Sequence, residues 1–367
     1  MHPPSMVVSR PAPPAPRLVV RGRLALLMLG GASLMVGLNA ALIRLDVWSP
    51  VASERAGDVH GMVMVYGFLG TLISLERAQS LGKAWGYLAP ALYGVGALSL
   101  VTPAPVLLGQ LLLIEAGVLF TAVYVGLWLR APRPLVAVQV LSAVLALGGA
   151  VVAARFDAPT ALPWLIGFVL LTIAAERAEL AHLVMGPRAD STLLGLATAL
   201  TCAILASLAF PALAGRPVGV AILACAAWLL AHDVVRHQLR LTGLRRYIAS
   251  ALLAGYLNLI LAGAVLAVRG ISADRGSYDV VVHAVFLGFA VSMVMAHAPV
   301  ILPAVLGRDL PYRPVLWVPF AALHAGLLLR FAGALGGADG LWRAGGVVTV
   351  VAMLAFVATA ATLAVRQ

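Results

Sequence analysis

Charged residues are scarce in this 367-residue sequence: Asp, Glu, Lys and Arg make up 11% of it, whereas hydrophobic residues make up 62%. The mean hydropathy is +1.01. A soluble domain of this length does not need so much apolar surface, so the composition indicates a polytopic membrane protein. A net charge of +11 would suggest nucleic acid in a soluble protein. Here the charges lie in short loops between apolar runs, which argues against a nucleic-acid partner and for a lipid bilayer.

Cysteine is also rare. The two cysteines, Cys202 and Cys225, lie inside apolar segments and do not form a Cys-x-x-Cys pair. This spacing argues against a disulfide framework and against a thiolate metal site. Both residues are predicted to be small, buried, apolar side chains.

The apolar runs predict an all-α bundle of about 12 transmembrane helices, because a helix needs about 20 residues to cross the hydrocarbon. Segment 1–23 is rich in proline and basic residues and is predicted to be a disordered cytoplasmic tail; 24–367 is predicted to be one transmembrane domain. With both termini inside, basic residues favour the cytoplasmic side by roughly two to one, which is typical of a bacterial-type inner membrane protein. The predicted spans are 24–43, 59–78, 84–102, 104–129, 134–154, 160–182, 192–213, 217–236, 247–268, 280–303, 314–334 and 342–365.

A repeated pattern occurs in every fourth span. In spans 2 and 6 a Gly-Phe pair is followed eight residues after its Phe by Glu-Arg-Ala, and in span 10 the same step leads from Phe to His. This spacing favours three four-helix units. The matching segments are Gly67-Phe68 with Glu76-Arg77-Ala78, Gly167-Phe168 with Glu176-Arg177-Ala178, and Gly288-Phe289 with His297.

Two histidines, His60 in span 2 and His283 in span 10, lie at matching depth within about one turn of the outer membrane surface. An ionisable side chain inside a bilayer is costly and usually has a function or a partner. One interpretation is that each ring merely bonds to a neighbouring group. The pairing favours a second interpretation, in which the two imidazoles bind a haem iron from opposite sides. Its propionates would face the outer surface, where Arg330 and Arg343 are the candidate partners.

Glycines follow both histidines. Gly67 lies seven residues after His60, and Gly288 lies five residues after His283. A residue without a side chain lets another group approach the backbone closely. We therefore expect the flat face of the cofactor to lie against these two positions.

The segments around the histidines resemble those of known haem proteins. His60-Gly61-x-x-Met64-x-Tyr66-Gly67-Phe68 is similar to the second helix of the haem-copper oxidase and nitric oxide reductase catalytic subunits. His283-Ala284-x-x-x-Gly288-x-x-x-x-Met293, followed by Leu306-Gly307-x-x-Leu310, is similar to the NnrS membrane proteins. The resemblance implies twelve helices in three arcs of four, a b-type haem held by His60 and His283, and a role in electron transfer or nitric oxide stress with a redox partner protein.

The sequence departs from the oxidase pattern at the second metal centre. Spans 6 and 7 lack the copper-binding histidines, apart from His182 at the inner edge, and Val281 and Val285 stand where a high-spin haem ligand would be. In the NnrS-like segment, Leu306-Gly307 is followed by Arg308-Asp309 rather than the expected arginine motif. The resemblance therefore implies a low-spin haem site without dioxygen reduction, and whether the chain is an enzyme stays open.

A second group of polar residues is predicted near the cytoplasmic surface. Glu179 and His182 have the Glu-x-x-His spacing of di-metal bundles, but the complete motif needs a second such pair and two more glutamates. Helix-end charges bonded to each other are the favoured interpretation. The predicted inner layer consists of Glu76, Arg77, Glu176, Arg177, Glu179, His182 and His297.

Glu115 in span 4 and His324 in span 11 lie near the middle of the membrane and are candidates for a proton or ion path. They support an alternative function, a cofactor-free transporter or metal permease. A third possibility is an assembly subunit of a respiratory complex.

Overall fold

The computed structural model describes residues 17–213, 215–271, 274–306 and 310–365, with the backbone alone for 17–19, 182–183 and 301–306. Within these residues the chain is helical and contains no strand. The predicted tail up to residue 16, the segment Gly307-Arg308-Asp309 and the side chain of His182 lie outside what is described.

Twelve longer helices follow one another, and each overlaps one predicted span. Ten of those in the described part are long and apolar enough to cross a membrane, which fits a multi-pass membrane protein. Helices α3 and α8 are shorter. The helices are α1 Arg17–Arg44, α2 Ala56–Leu81, α3 Leu88–Ser99, α4 Val106–Arg130, α5 Pro134–Arg155, α6 Ala158–Leu180, α7 Ala189–Ala209, α8 Arg216–His232, α9 Gly243–Arg269, α10 Arg275–Val300, α11 Trp317–Gly336 and α12 Asp339–Val365.

Several bounds differ from those expected from hydropathy. Helix α1 begins at Arg17, within the segment predicted to be disordered, because no proline interrupts the chain between Arg17 and Arg44. Helix α3 is preceded by a 3₁₀ turn, Ala84–Tyr87, and α8 begins at Arg216 beside a left-handed Gly215. Hydropathy detects the apolar run but not these changes of backbone geometry.

The centre of the bundle is formed by α6 and α10. In their most apolar windows, 78% and 72% of the residues are buried inside the protein, compared with 33% for α1, α4 and α12. The outer helices expose large apolar side chains such as Leu107, Leu129 and Leu328, as expected of a surface that faces lipid. Polar residues on α6 and α10 are therefore kept away from the hydrocarbon.

Glycine allows α11 and α12 to pack with their backbones in contact. A Cβ atom on Gly345 would lie 2.3 Å from the backbone nitrogen of Arg330, and one on Gly326 would lie 3.0 Å from the carbonyl oxygen of Gly345. Small residues that let helices approach in this way are typical of helix contacts in membranes.

We predict that Gly345→Ala destabilises the protein, because the added methyl group forces apart the backbones of α11 and α12. The free energy of unfolding in detergent should fall by about 1–3 kcal/mol. Gly340→Ala is the matched control, since Gly340 lies on the same helix and a Cβ there would meet nothing within 4 Å. Equal effects of the two substitutions would contradict the close packing.

Candidate functional site

His60 and His283 each lie beside a π-helical segment of the backbone. In α2 a π-helical segment, Val63–Gly70, follows His60, and in α10 a second one, Ala284–Val291, begins directly after His283. π-Helical turns are rare and are frequently found at functional sites. These segments were not predicted from the sequence, because wider turns leave no clear trace in hydropathy.

The ring of His60 is held by a neighbouring helix. Its Nδ1 lies 2.9 Å from the carbonyl oxygen of Gly37 on α1. Because a carbonyl oxygen only accepts hydrogen bonds, Nδ1 must be the donor, and in the neutral ring the lone pair is then on Nε2. Gly37 also permits the close packing of Met64 at this point, since a Cβ there would lie 2.3 Å from the Met64 sulfur atom.

The ring of His283 is held in the same way by its own helix. Its Nδ1 donates to the carbonyl oxygen of Asp279 at 2.8 Å and lies 3.4 Å from a carboxylate oxygen of the same residue. The lone pair of the neutral ring is again on Nε2. Both histidines therefore present the nitrogen that a metal ligand uses, with the opposite nitrogen bonded to the protein.

The two imidazoles are electrostatic neighbours, and each also interacts electrostatically with Arg44 and Arg330. The histidine-bearing segments Ala56–Met62 of α2 and Arg275–His283 of α10 do not pack closely against each other: the first contacts α1, and the second contacts α9 and α11. Both side chains are partly exposed, His283 to 15%. The two interacting rings therefore lie on helical segments that do not pack directly against each other.

Asp279 is fixed by a buried ion pair. The Nε and Nη2 atoms of Arg330 donate to its two carboxylate oxygens at 2.8 and 2.7 Å. The guanidinium carbon of Arg330 lies 5.1 Å from the centre of the Trp342 ring, and that of Arg275 lies 4.6 Å from it. We call His60, His283, Asp279 and Arg330 the outer site, using the predicted orientation. Asp279 and Trp342 were missed in the sequence, although Asp279 lies one helical turn before His283.

The arginines near this site differ in their availability. Arg330 is buried, and two of its nitrogens are engaged by Asp279. Arg343 is half exposed and pairs with Asp46 at 3.2 Å. Arg44, which the sequence analysis did not select, is exposed and donates to the carbonyl oxygen of Gly57 at 3.1 Å.

The expectation for Gly67 and Gly288 was wrong. A Cβ atom on Gly67 would lie 2.6 Å from Cβ of Ala97 and 2.9 Å from Cβ of Ser33, and one on Gly288 would lie 2.4 Å from the side chain of Asn258. These glycines make room for neighbouring helices rather than for a flat ring. Sequence alone does not tell which side of a helix faces which neighbour.

A second polar group lies at the opposite end of α6 and α10. Arg177 donates to both carboxylate oxygens of Asp233, at 2.9 and 2.7 Å, and its Nη1 lies 3.1 Å from Nε2 of His297. The hydroxyl group of Tyr256 donates to Asp233 at 2.5 Å. Asp233 and Tyr256 were not predicted, because both are brought to Arg177 by tertiary structure.

The other predicted members of this layer surround Arg77. Its guanidinium contacts Glu76 directly and lies 3.7 Å from Glu176 and 4.0 Å from Glu179. We call Glu76, Arg77, Glu176, Arg177, Asp233 and His297 the inner network. No group of three or more His, Cys, Asp or Glu residues in the described part is arranged to hold a metal ion, and the side chain of His182, the partner predicted for Glu179, lies outside that part.

The two mid-membrane residues behave differently. Glu115 lies on the exposed, outward face of α4, not inside the bundle as a path through the protein would require. Apolar residues surround it in sequence, so the pattern gave no sign of its direction. His324 is directed inward, with Nε2 3.0 Å from the hydroxyl oxygen of Ser292, just beyond the second π-helical segment.

Comparison with known proteins places the chain in a family without an assigned activity. Residues 23–365 match the model described as domain of unknown function DUF8744, and the chain belongs to that family. No curated protein matches it.

We predict that Asp233→Asn lowers the free energy of unfolding by about 3–5 kcal/mol, because it leaves the buried guanidinium of Arg177 without its counter-ion. Arg343→Gln breaks an exposed pair and should cost about 0–1 kcal/mol. Reversible unfolding in mixed micelles, followed by tryptophan fluorescence, measures both. A loss of free energy of unfolding in Asp233→Asn no larger than that in Arg343→Gln would show that the Arg177–Asp233 pair is solvated.

Proposed function

We propose that this DUF8744 protein is a haem-binding integral membrane protein in which His60 and His283 would hold the haem iron. Its role would be electron transfer or a response to nitric oxide, with a redox partner protein. The proposal rests on the hydrogen bonding that the two rings have in common. Each ring donates through Nδ1 to a backbone carbonyl, which leaves Nε2 for a ligand.

The donor set suits a low-spin haem. Two neutral imidazoles bind an iron from opposite faces, and hydrogen bonds to the far nitrogens fix the ring orientation and increase ligand basicity. The histidine-bearing segments of α2 and α10 do not pack closely against each other, as a cofactor between the two rings requires. A haem bound there would supply reversible one-electron transfer.

The surrounding side chains have separate roles in this proposal. The Gly37 carbonyl and Asp279 orient the two rings, and Arg330 balances the charge of Asp279. Since Arg330 is already engaged, Arg44 is better placed to bind a propionate than the sequence suggested, and it interacts electrostatically with both histidines. Arg343, which pairs with Asp46, would lie at the edge of the proposed haem site.

The same proposal extends to the topology. We infer that all twelve helices cross a bacterial-type inner membrane with both termini in the cytoplasm, and that they form three four-helix units. Contacts in the inner network support the repeat: Arg77 of α2 approaches Glu176 of α6, and Arg177 of α6 approaches His297 of α10. In the repeat, Glu176 and His297 correspond to Glu76. Each arginine thus approaches the residue that occupies the position of Glu76 in the next unit.

The transporter alternative has less support. Its main candidate, Glu115, lies on the exposed face of α4 that points away from the bundle. The imidazole of His324 is hydrogen-bonded to Ser292. A conventional oxidase centre is also disfavoured, because the residues that would hold copper are missing from the sequence of α6 and α7.

The decisive experiment is the absorption spectrum of protein purified from haem-replete cells. We expect a Soret band in the wild type that is lost or shifted from low-spin form in both His60→Ala and His283→Ala, because each removes one axial ligand. His232→Ala is the control, since that ring bonds to the Trp228 carbonyl of its own helix on α8. Colourless wild-type protein, or unchanged spectra in both ligand variants, would refute the proposal.

We predict that Asp279→Asn raises the midpoint potential of the bound haem. It removes a negative charge beside His283 and leaves Arg330 uncompensated, and both changes favour the reduced iron. The shift should be on the order of 59 mV, the value that corresponds to a tenfold change for one electron. Asp46→Asn, at an exposed carboxylate, should leave the potential nearly unchanged in the same redox titration. A fall in the potential of Asp279→Asn would contradict the assignment.

A further inference from the structure

Three buried polar atoms without hydrogen-bond partners lie at the end of the bundle where α2 and α6 stop. They are Nε of Arg77, the hydroxyl oxygen of Tyr124 and Oε1 of Glu176. Tyr124 is fully buried, and Arg77 is 9% exposed. Buried polar groups are nearly always hydrogen-bonded, so such a set points to a small molecule or ion among them.

The three groups are close to one another. Arg77 Nη2 is 3.7 Å from Glu176 Oε1, too long for a hydrogen bond. Tyr124 interacts electrostatically with Arg77, Glu176, Glu76 and Glu179. The unpartnered atoms thus belong to one locality shared by α2, α4 and α6.

Charge is unbalanced at this place. Arg77 is the cation nearest to Glu76, Glu176 and Glu179, and it contacts Glu76 directly. Arg177, which also interacts with Glu176, has its charge matched by Asp233. Glu179 is 59% exposed and can be solvated, whereas Glu176 keeps a buried oxygen without a partner. The side chain of Glu176 is 22% exposed, but a charged carboxylate with one oxygen buried and unpaired is unfavourable unless it is neutralised.

We propose that Glu176 is a proton acceptor in a small water-containing site built with Arg77 and Tyr124. The carboxylate takes a proton from the aqueous side and becomes a neutral carboxylic acid, and no electron is transferred. Water would supply the partners that Tyr124, Arg77 and Glu176 lack, since a polar site with several partners is where buried water is stable. The exposed Glu179 and the partly exposed Glu76 connect the site to the solvent.

This site is independent of the proposed haem. It lies at the opposite end of the bundle from His60, and its evidence is the set of unpartnered atoms rather than the histidine pair. It also differs from the neighbouring Arg177–Asp233 pair, in which two charges match.

The test is infrared difference spectroscopy of the whole protein in micelles during a pH titration, in H₂O and in D₂O. We expect a protonated carboxyl C=O band that shifts in D₂O, disappears in Glu176→Gln and remains in Glu179→Gln. Tyr124→Phe should shift the band, because the hydroxyl group shares the water. Tyr93→Phe is the matched control: its hydroxyl is also buried and unpartnered, but it interacts with Tyr66 rather than with the acidic groups.

Four results would overturn the proposal. These are the absence of a protonated carboxyl band throughout the titration, a band that survives in Glu176→Gln, a band that Tyr124→Phe leaves unmoved, and replacement of the proton by Na⁺ at constant pH. The last result would identify a sodium site instead. If Glu176→Gln does not fold, the Tyr124→Phe comparison still decides. Loss of haem in His60→Ala should leave the band in place, so the two proposals can fail separately.

Discussion

The cost of placing an ionised group in hydrocarbon governs the arrangement of this protein. Asp279 and Asp233 lie near opposite ends of the bundle. Each accepts hydrogen bonds, through both carboxylate oxygens, from one arginine of another helix. A bidentate pair of this kind satisfies four polar atoms at once and fixes the relative position of two helices. Helix α10 joins the two regions, because it carries Asp279 at one end and His297, which bonds to Arg177, towards the other.

This constraint explains why α6 and α10 occupy the centre. Their polar side chains can be neutralised only by residues from surrounding helices, which therefore have to enclose them. The outer helices carry few charges between their ends and present apolar side chains outward. Glu115 is the exception, since its carboxyl group lies on an otherwise apolar face of α4. A group in that position is costly in lipid unless it is protonated or covered.

The sequence predicted the features that depend on local composition. The all-helical bundle and the positions of the long helices follow from the apolar runs. Features that depend on long-range contacts could not be obtained in this way. Asp279 and Arg330 are far apart in the chain, and nothing local indicates that they pair. The same holds for the direction of Glu115, for the neighbours of Gly67 and for the π-helical segments, each of which is decided by packing between helices.

The histidines show why depth alone is an incomplete criterion for a ligand. His297 on α10 corresponds to Glu76 and Glu176 in the repeat. Its Nδ1 donates to the Met293 carbonyl and its Nε2 accepts from Arg177, so neither nitrogen is left for a metal. His232 keeps Nε2 but stacks on Trp228 of its own helix. Only for His60 and His283, among the histidines with described side chains, does a second imidazole with the same bonding state lie nearby. The distinction depends on which nitrogen each ring has already used, and a metal-binding argument for a buried histidine should begin with that atom.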